Sequence, residues 1–409
     1  MTNSQFSTFN SPLIPPGYKQ TEVGVIPEEW GIAELSETAR VVDSLHQTPS
    51  FAEDGYPMVR VTDIKPGNLS FVGTLMVTEA VFAEFTKNYK PKRDDIVLSR
   101  VGSYGVSSFV ETDEPFCMGQ NTVVLQPKLP PRFLYYVLNS RNIRQQIENG
   151  SYGSGYKSLS LKNIKELRIP VPPTEAEQRA IATALSDVDG LLGGLDRLIA
   201  KKCDLKQAAM QHLLTGQTRL PGFHGEWEVK RLGDVVEIRK GQLITSSTLK
   251  PGDIPVIAGG KQPAYFHASA NRFGRTITIS ASGASAGFVA LYNEPIFASD
   301  CSTINESESY CLDFVFYELL CKQQTIYKAQ TGGAQPHIHA KDLNPILFPF
   351  PSLPEQTAIA EVLTAMDGEL AVLEQRREKT RALKQAMMQE LLTGRIRLVS
   401  GELKMESGE

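Results

Sequence analysis

The chain of 409 residues lacks most of what marks catalytic or membrane proteins. No apolar run approaches the roughly 20 residues needed to span a bilayer. The five cysteines, Cys117, Cys203, Cys301, Cys311 and Cys321, are odd in number and contain no CxxC pair. They fit a reducing cytoplasm better than a disulfide framework or a zinc knuckle. No GxxxxGK-Ser/Thr loop is present to cradle a nucleotide phosphate. Gly153 and Gly155 are not followed by the third glycine of a dinucleotide fingerprint. Asn293-Glu294-Pro295-Ile296 departs at its second position from the (N/D)PP(Y/F) of amino-methyltransferases. Excess positive charge is missing too. With 42 Lys and Arg against 46 Asp and Glu, the net charge is −4. Such a balance excludes coating nucleic acid by bulk charge alone. The first residues are polar and Pro-rich, without the charged-then-apolar pattern of a signal peptide, and read as a flexible lead.

What the chain has instead is a repeat. LKQAAMQHLLTGQTRL at 205–220 returns as LKQAMMQELLTGRIRL at 383–398. Shifted by 178 positions, Glu177-Gln178 meets Glu355-Gln356, Asp189-Gly190 meets Asp367-Gly368, and Leu213-Leu214-Thr215-Gly216 meets Leu391-Leu392-Thr393-Gly394. About half the positions agree, without a gap, over some forty residues. Self-similarity of this kind sets the architecture.

Both copies have helical periodicity. Ile181, Leu185, Val188, Leu192, Leu195 and Ile199 step by three and four, as do Ile359, Leu363, Met366, Leu370 and Leu373. That is the seam of a coiled coil. Pro-rich stops precede each copy, and Gly216 and Gly394 stand where a C-terminal stop belongs. A forty-residue helix is ~60 Å long, more than one small domain covers, so the two helices are expected to pair with each other.

The blocks ahead of the helices are less alike but share a frame. Each opens with Pro-Gly-aromatic, then Trp (Trp30, Trp227) and Leu (Leu35, Leu232). IVLSRVGSYGVSSFV (96–110) resembles TITISASGASAGFVA (276–290), and FLYYVL (133–138) resembles FVFYELL (314–320). GSGYKSLSLKNIKELRIPVP (153–172) resembles GGAQPHIHAKDLNPILFPFP (332–351). β-rich runs with Gly/Ser turns and one or two helical stretches make each block an α/β domain with a mixed sheet. The expected fold class is α+β, with two such domains separated by two long antiparallel helices in an internal pseudo-twofold repeat. The expected boundaries are a lead at 1–14, a first domain at 15–172 and a helical region at 173–219. A second domain at 220–351, a second helical region at 352–398 and a tail at 399–409 follow.

Two features that could carry chemistry are better read without it. Asp94-Asp95 fits a turn before strand IVLS rather than a nuclease carboxylate pair. His337 and His339 share one face of a strand, but no third metal ligand is evident. What remains suits binding. Between Phe85 and Arg168, 13 Lys and Arg stand against 7 Asp and Glu. Lys87, Lys90, Lys92 and Arg93 form a basic run with Tyr89 interleaved. Ser99, Arg100, Ser103 and Tyr104 lie in one Gly-containing turn, and Tyr152, Ser154, Tyr156 and Lys157 in another. The second block carries Ser280, Ser282 and Ser285, and Gln335, His337 and His339, in the corresponding turns, with Lys261, Gln262, Arg272 and Arg275 nearby. Such side chains grip phosphates and read base edges. Each loop alone is a weak signal; their equivalent places in both halves give it weight.

The GYKQTEVGVIPEEW opening, the Val171-Pro172-Pro173 to Glu177-Gln178 and Phe350-Pro351 to Glu355-Gln356 junctions, and the LKQ…LLTG helix ends together resemble the specificity subunits of type I restriction-modification systems. The resemblance covers nearly the whole chain; the two junctions differ by a one-residue gap. It implies a non-catalytic, cytoplasmic subunit. Each variable block would be a target recognition domain reading one half of a split, asymmetric site in double-stranded DNA. The helices would space the blocks and dock two modification subunits, which carry S-adenosylmethionine and methylate adenine. Restriction subunits would join that complex; no cofactor, metal or membrane is implied for this chain. Two alternatives stay open: a coiled-coil adaptor whose domains bind proteins or glycans, and the specificity subunit of a related system with fused nuclease and methylase.

Overall fold

The structure, a computed structural model, describes residues 14–150, 158–245, 247–332, 335–399 and 402–404. They fall into two compact units. One holds the chain up to Gly194 together with the segment from Arg377 onward; the other holds Leu195–Arg376. This division follows neither the order of the chain nor the expected domain boundaries. It cuts both long helices, Glu175–Leu214 and Leu353–Leu391, so each unit owns one recognition block and part of each helix.

In the first unit a four-stranded antiparallel sheet runs Ala39–Asp43, Thr122–Pro127, Ile96–Ser99, Ser107–Phe109. A second sheet places Tyr56–Val59 between Met76–Val77, antiparallel, and Cys117–Met118, parallel. Gly31–Glu34 pairs with Arg168–Val171, closing the block just before its long helix. The second unit repeats each part. Its four strands are Arg239–Lys240, Cys301–Asn305, Thr276–Ser280 and Val289–Tyr292. Its three are Tyr265–His267, Ile254–Ile257 and Phe297–Ala298, and its closing pair is Glu228–Arg231 with Leu347–Phe350. Among the strands described, parallel pairing is confined to the small sheet of each block; the larger sheet is antiparallel, with one isolated parallel bridge from Asn68 to Phe109.

Packing explains these elements. Every residue of Ile96–Ser99 and Thr276–Ser280 is buried, so both read as continuous apolar or Thr/Ser runs rather than alternating ones. Helices Pro131–Leu138 and Leu312–Cys321 cover them. Phe133, Leu134 and Tyr136 lock the first core with Ile96 and Leu98; Val315 and Leu319 lock the second with Ile277 and Ile279.

The long helices pair antiparallel within each unit. In the first, Ile181 and Leu185 share a cluster with Leu391, Leu392 and the helix residues Phe133 and Tyr136. In the second, Ile359 and Leu363 share one with Leu213, Leu214, Phe314 and Tyr317. The expected seam is therefore three-sided, since its most buried positions also meet the recognition block. Leu195 and Ile199 are buried too, whereas Val188, Leu192, Met366, Leu370 and Leu373 are only half-buried.

The repeated motifs have concrete roles. Gln178 and Gln356 each donate to the carbonyl of the preceding Pro-rich stop, Pro172 at 3.0 Å and Pro351 at 2.9 Å. Buried Glu177 takes a charge-assisted bond from Arg397 (2.9 Å), and Glu355 one from Arg219 (2.7 Å). Arg397 lies over the Trp30 ring and Arg219 over Trp227. Glu177, then Glu29, push the Arg397 guanidinium further toward its charged form. Gly216 and Gly394, at φ +71° and +70°, make the left-handed stops. No helix among the described residues is long and apolar enough to cross a membrane.

Candidate nucleic-acid interface

In each unit three loops converge at one end of the sheets. The first follows the central strand of the small sheet, beginning at Arg60 or Ala258. The second is the turn after Ser99 or Ser280. The third is the return segment that bridges to it, Val101 to Ser158 and Ser282 to His337. The backbone repeats closely: Leu159 N–H donates to Arg100 O, and Ile338 N–H to Ala281 O, both at 2.9 Å. The central turn is one residue longer in the second unit. Gly105 N–H reaches Ser99 O across six residues, Gly287 N–H reaches Ser280 O across seven, both at 2.7 Å. Loops held on such rigid strands are where recognition residues belong.

In the second unit the structure gathers most of the expected residues. Ser280 Oγ donates to Gly260 O (3.2 Å), drawing the loop with Lys261 and Gln262 onto the central turn. A Cβ on Gly259 would lie 2.6 Å from Ser282 O, so only glycine allows this approach. Gly283 N–H donates to Pro336 O (3.0 Å), which ties Gln335 and His337 to the same place. Lys261, Gln262 and Gln335 are exposed, and Ser285 is half-buried. The His337 and His339 rings lie nearly parallel, 6.2 Å apart. His339 also caps the short helix Ala340–Leu343 with Asp342. Among the described residues no group of three His, Cys, Asp or Glu is placed to hold a metal.

In the first unit Lys87, Lys90 and Lys92 are exposed, and Ser103 is exposed in its turn. Arg93 is exposed as well and pairs with Asp113 at 2.8 Å. Tyr89, the interleaved aromatic, instead bonds buried Asp95 (2.8 Å), and burial followed by that bond pushes its hydroxyl well above the usual range. Asp94, at φ +71°, sits in the turn before Ile96–Ser99. Tyr152, Ser154, Tyr156 and Lys157 lie outside the described residues.

Six of the expected contact residues are engaged within the protein. Ser99 is fully buried and its hydroxyl serves Val101 O (3.1 Å). Tyr104 packs against the first core. Arg100 is held by Asp43 (2.9 Å) and Leu159 O (3.1 Å), and Arg272 by Thr303 Oγ1, Asn271 O and Lys240 O at 2.8–2.9 Å. Arg275 forks onto Asp313 (2.8 Å to Oδ2), which raises its already high pKa. Ser99 and Arg100 brace the loops from behind, whereas Arg275 is held at the other end of strand Thr276–Ser280. Ser282, which donates to Asp300, shares that bracing role at the edge of the loops.

Sequence reasoning missed a cleft of about 200 Å³ in the first unit, lined by Thr48, Phe51, Arg60, Thr62, Gln120 and Asn121. Arg60 is oriented there by Asp63 (3.2 Å), and Asn121 takes φ +64°. The Arg-x-x-Asp spacing was the available signal.

Comparison with known proteins places this geometry. The family model described as the type I restriction modification DNA specificity domain matches residues 27–199 and again 224–381. A Methanocaldococcus jannaschii chain named as the specificity subunit of type I restriction enzyme MjaX is 28% identical over 415 residues, covering 93% of this chain and 97% of that one. The MjaVIII specificity subunit of the same organism is 24% identical over 420 residues, covering 91% and 94%. The crystal structure of a type I restriction-modification S subunit from M. genitalium superposes with a TM-score of 0.63 at 20% identity, covering 88% of this chain and 96% of that one, and so shares the fold. With two matched domains spanning most of its length, the chain belongs to the type I restriction-modification DNA specificity family, as a DNA-recognising subunit that confers specificity rather than catalysis.

Proposed function

We propose that each unit reads one half of a split DNA site through its three converging loops, and that the long helices set the distance between the halves. The observation that carries this reading is the duplication of the loop scaffold with different side chains on it. Exposed Lys87, Lys90 and Lys92 suit phosphate contact in the first unit. Lys261, Gln262, Gln335 and His337 suit phosphate and base-edge contact in the second. Unlike loops on like scaffolds predict an asymmetric site.

The finer assembly follows the same reading. The exposed helix surfaces would dock two modification subunits, one near each unit, and those subunits would hold S-adenosylmethionine and methylate adenine. Restriction subunits would complete the complex in the cytoplasm, where its DNA lies. Partner subunits would also supply phosphate contacts that a chain of net charge −4 cannot supply in bulk.

Methylome sequencing of a host with and without this chain tests the reading. It is expected to reveal one split motif that depends on the chain. Exchanging residues 38–168 for those of another family member should change one half of that motif only. A change in both halves would contradict modular reading.

A further inference from the structure

The second unit carries three exposed aromatic rings, Tyr265, Phe266 and Phe273, and the first two share one strand edge. Tyr265 is 46% and Phe266 60% exposed, side by side on the edge strand Tyr265–His267. Neither ring packs on another aromatic ring among the described residues. Successive strand residues point to opposite faces, so the rings project to either side of a protruding edge.

The equivalent edge of the first unit is covered. Its strand is Met76–Val77, Val77 is fully buried, and helix Glu79–Phe85 lies against it with Phe82 stacked on Tyr56 at 4.1 Å. Among the described residues no such helix follows Tyr265–His267 in the second unit. Residues 268–275 instead run back to the far strand, where Asn271 Nδ2 donates to Ala298 O (2.9 Å) and Arg272 bridges Ile296. An uncovered aromatic edge is a hazard unless something is meant to cover it.

The surrounding charge indicates what covers it. Between Ile238 and Arg275 six Lys and Arg stand against the single acid Asp253; Arg239, Arg272 and Arg275 are engaged within the protein, and Lys240, Lys250 and Lys261 are exposed. Two of them lie on segments next to the edge strand, the Lys261 ammonium over the Phe288 ring of the recognition turn. Exposed Lys261 lies in the loop just ahead, and Lys250 N–H donates to the His267 ring (3.0 Å) just behind. That loop is fixed on the recognition turns by Ser280, and Ala264 N–H closes the hairpin on Val256 O (2.9 Å). The rings are therefore presented on a braced hairpin beside the base-reading loops, with exposed lysines on the neighbouring segments. Flat π faces inside a polyanion are the matching chemistry.

We propose that Phe266 stacks on a base step of the duplex at the edge of the half-site read by the second unit, partly unstacking it. This rests on the DNA-reading role above and adds a contact that is neither a phosphate grip nor a base-edge hydrogen bond. Aromatic wedges at flexible steps kink duplexes and give sequence preference through deformability. The corresponding edge of the first unit is covered, so the effect belongs to one half-site.

The test uses the complex reconstituted with its modification subunits and duplexes carrying 2-aminopurine at successive positions of the methylome-defined site. Wild type should raise fluorescence at one step in the second half-site. Phe266→Ala should abolish that rise and weaken binding roughly tenfold, since a base–ring stack is of that order. Phe266→Tyr should retain both. The salt slope should stay unchanged, because no phosphate contact is lost. Phe266 is exposed, and thermal melting of each variant checks that the fold is intact. A Phe266→Ala complex that keeps both fluorescence and affinity overturns the proposal. So does loss of modification subunits on purification of that variant, which would assign the rings to a protein contact. A wild-type complex without salt-dependent DNA binding would remove the DNA-reading role itself, a different failure.

Discussion

Glu318 offers the sharpest quantitative prediction. It lies on helix Leu312–Cys321, is 1% exposed, and occupies the place of buried Val137 in the first unit. One carboxylate oxygen has no partner and the other is 3.9 Å from Lys322. Burial, only partly offset by Lys322, pushes its pKa from 4.5 up to about 8. The folded state thus holds this proton more tightly than the unfolded chain does. Stability is highest below the unfolded pKa and falls as pH rises toward the folded one. Three to four pKa units at 1.36 kcal/mol each set the loss on the order of 5 kcal/mol between pH 4.5 and 8, levelling above. Glu318→Gln removes the titration, and Glu318→Leu also removes the buried polar group. Chemical unfolding of wild type and variants from pH 5 to 9 should give curves that diverge as pH rises, with the Leu variant the more stable at pH 8. Parallel curves across that range would refute the assignment of a buried, proton-holding carboxyl.

Two further predictions concern the helices and the basic run. Asp189 receives Lys384 (2.6 Å) and Tyr136 Oη–H (2.8 Å), and Asp367 receives Lys206 and Tyr317 Oη–H (2.7 Å). Lys384→Ala should destabilise the first unit by about 1 kcal/mol and broaden the spacer lengths that are methylated, while the swap of Asp189→Lys with Lys384→Asp should recover both. Methylation assays on sites with one base pair added or removed provide the readout. Replacing Lys87, Lys90 and Lys92 by Gln should lower the slope of log K against log salt by up to ~3 without altering base preference, measured by titrated mobility shifts.

The fold was legible where periodicity and repetition act together. Leu185 and Leu363 lie at helical steps in a repeated segment, and both are fully buried at the helix pairing. The Gly216 and Gly394 stops follow from backbone geometry that favours glycine there. The recognition surface was less legible because a side chain's type does not disclose its direction. Arg100 and Arg272 have the chemistry of DNA contacts, yet carbonyls and Asp43 supplied by distant strands hold them inside. Nothing local to either residue encodes that. The mixed sheet was expected from the β-rich runs, but which strands pair in parallel was hidden, since Tyr56–Val59 meets Cys117–Met118 and Ile254–Ile257 meets Phe297–Ala298 far apart in the chain. Glu318 shows the opposite case. Its helical pattern marks the position as apolar, and the carboxyl there breaks the pattern at a measurable price.

The first unit is assembled from two stretches separated in the chain by the whole of the second unit. Tyr18 Oη–H donates to Gly394 O (3.1 Å), and Arg397 joins Glu29 to Glu177. Translation at ~5–20 residues per second therefore separates Gly194 from Leu392 by ~10–40 s. During that interval the second unit can finish, while Ile181 and Leu185 wait without their covering residues. The stretch up to Gly194 is made before the segment that covers it, so a chain that stops short of Leu392 presents a sticky flank to chaperones and proteases.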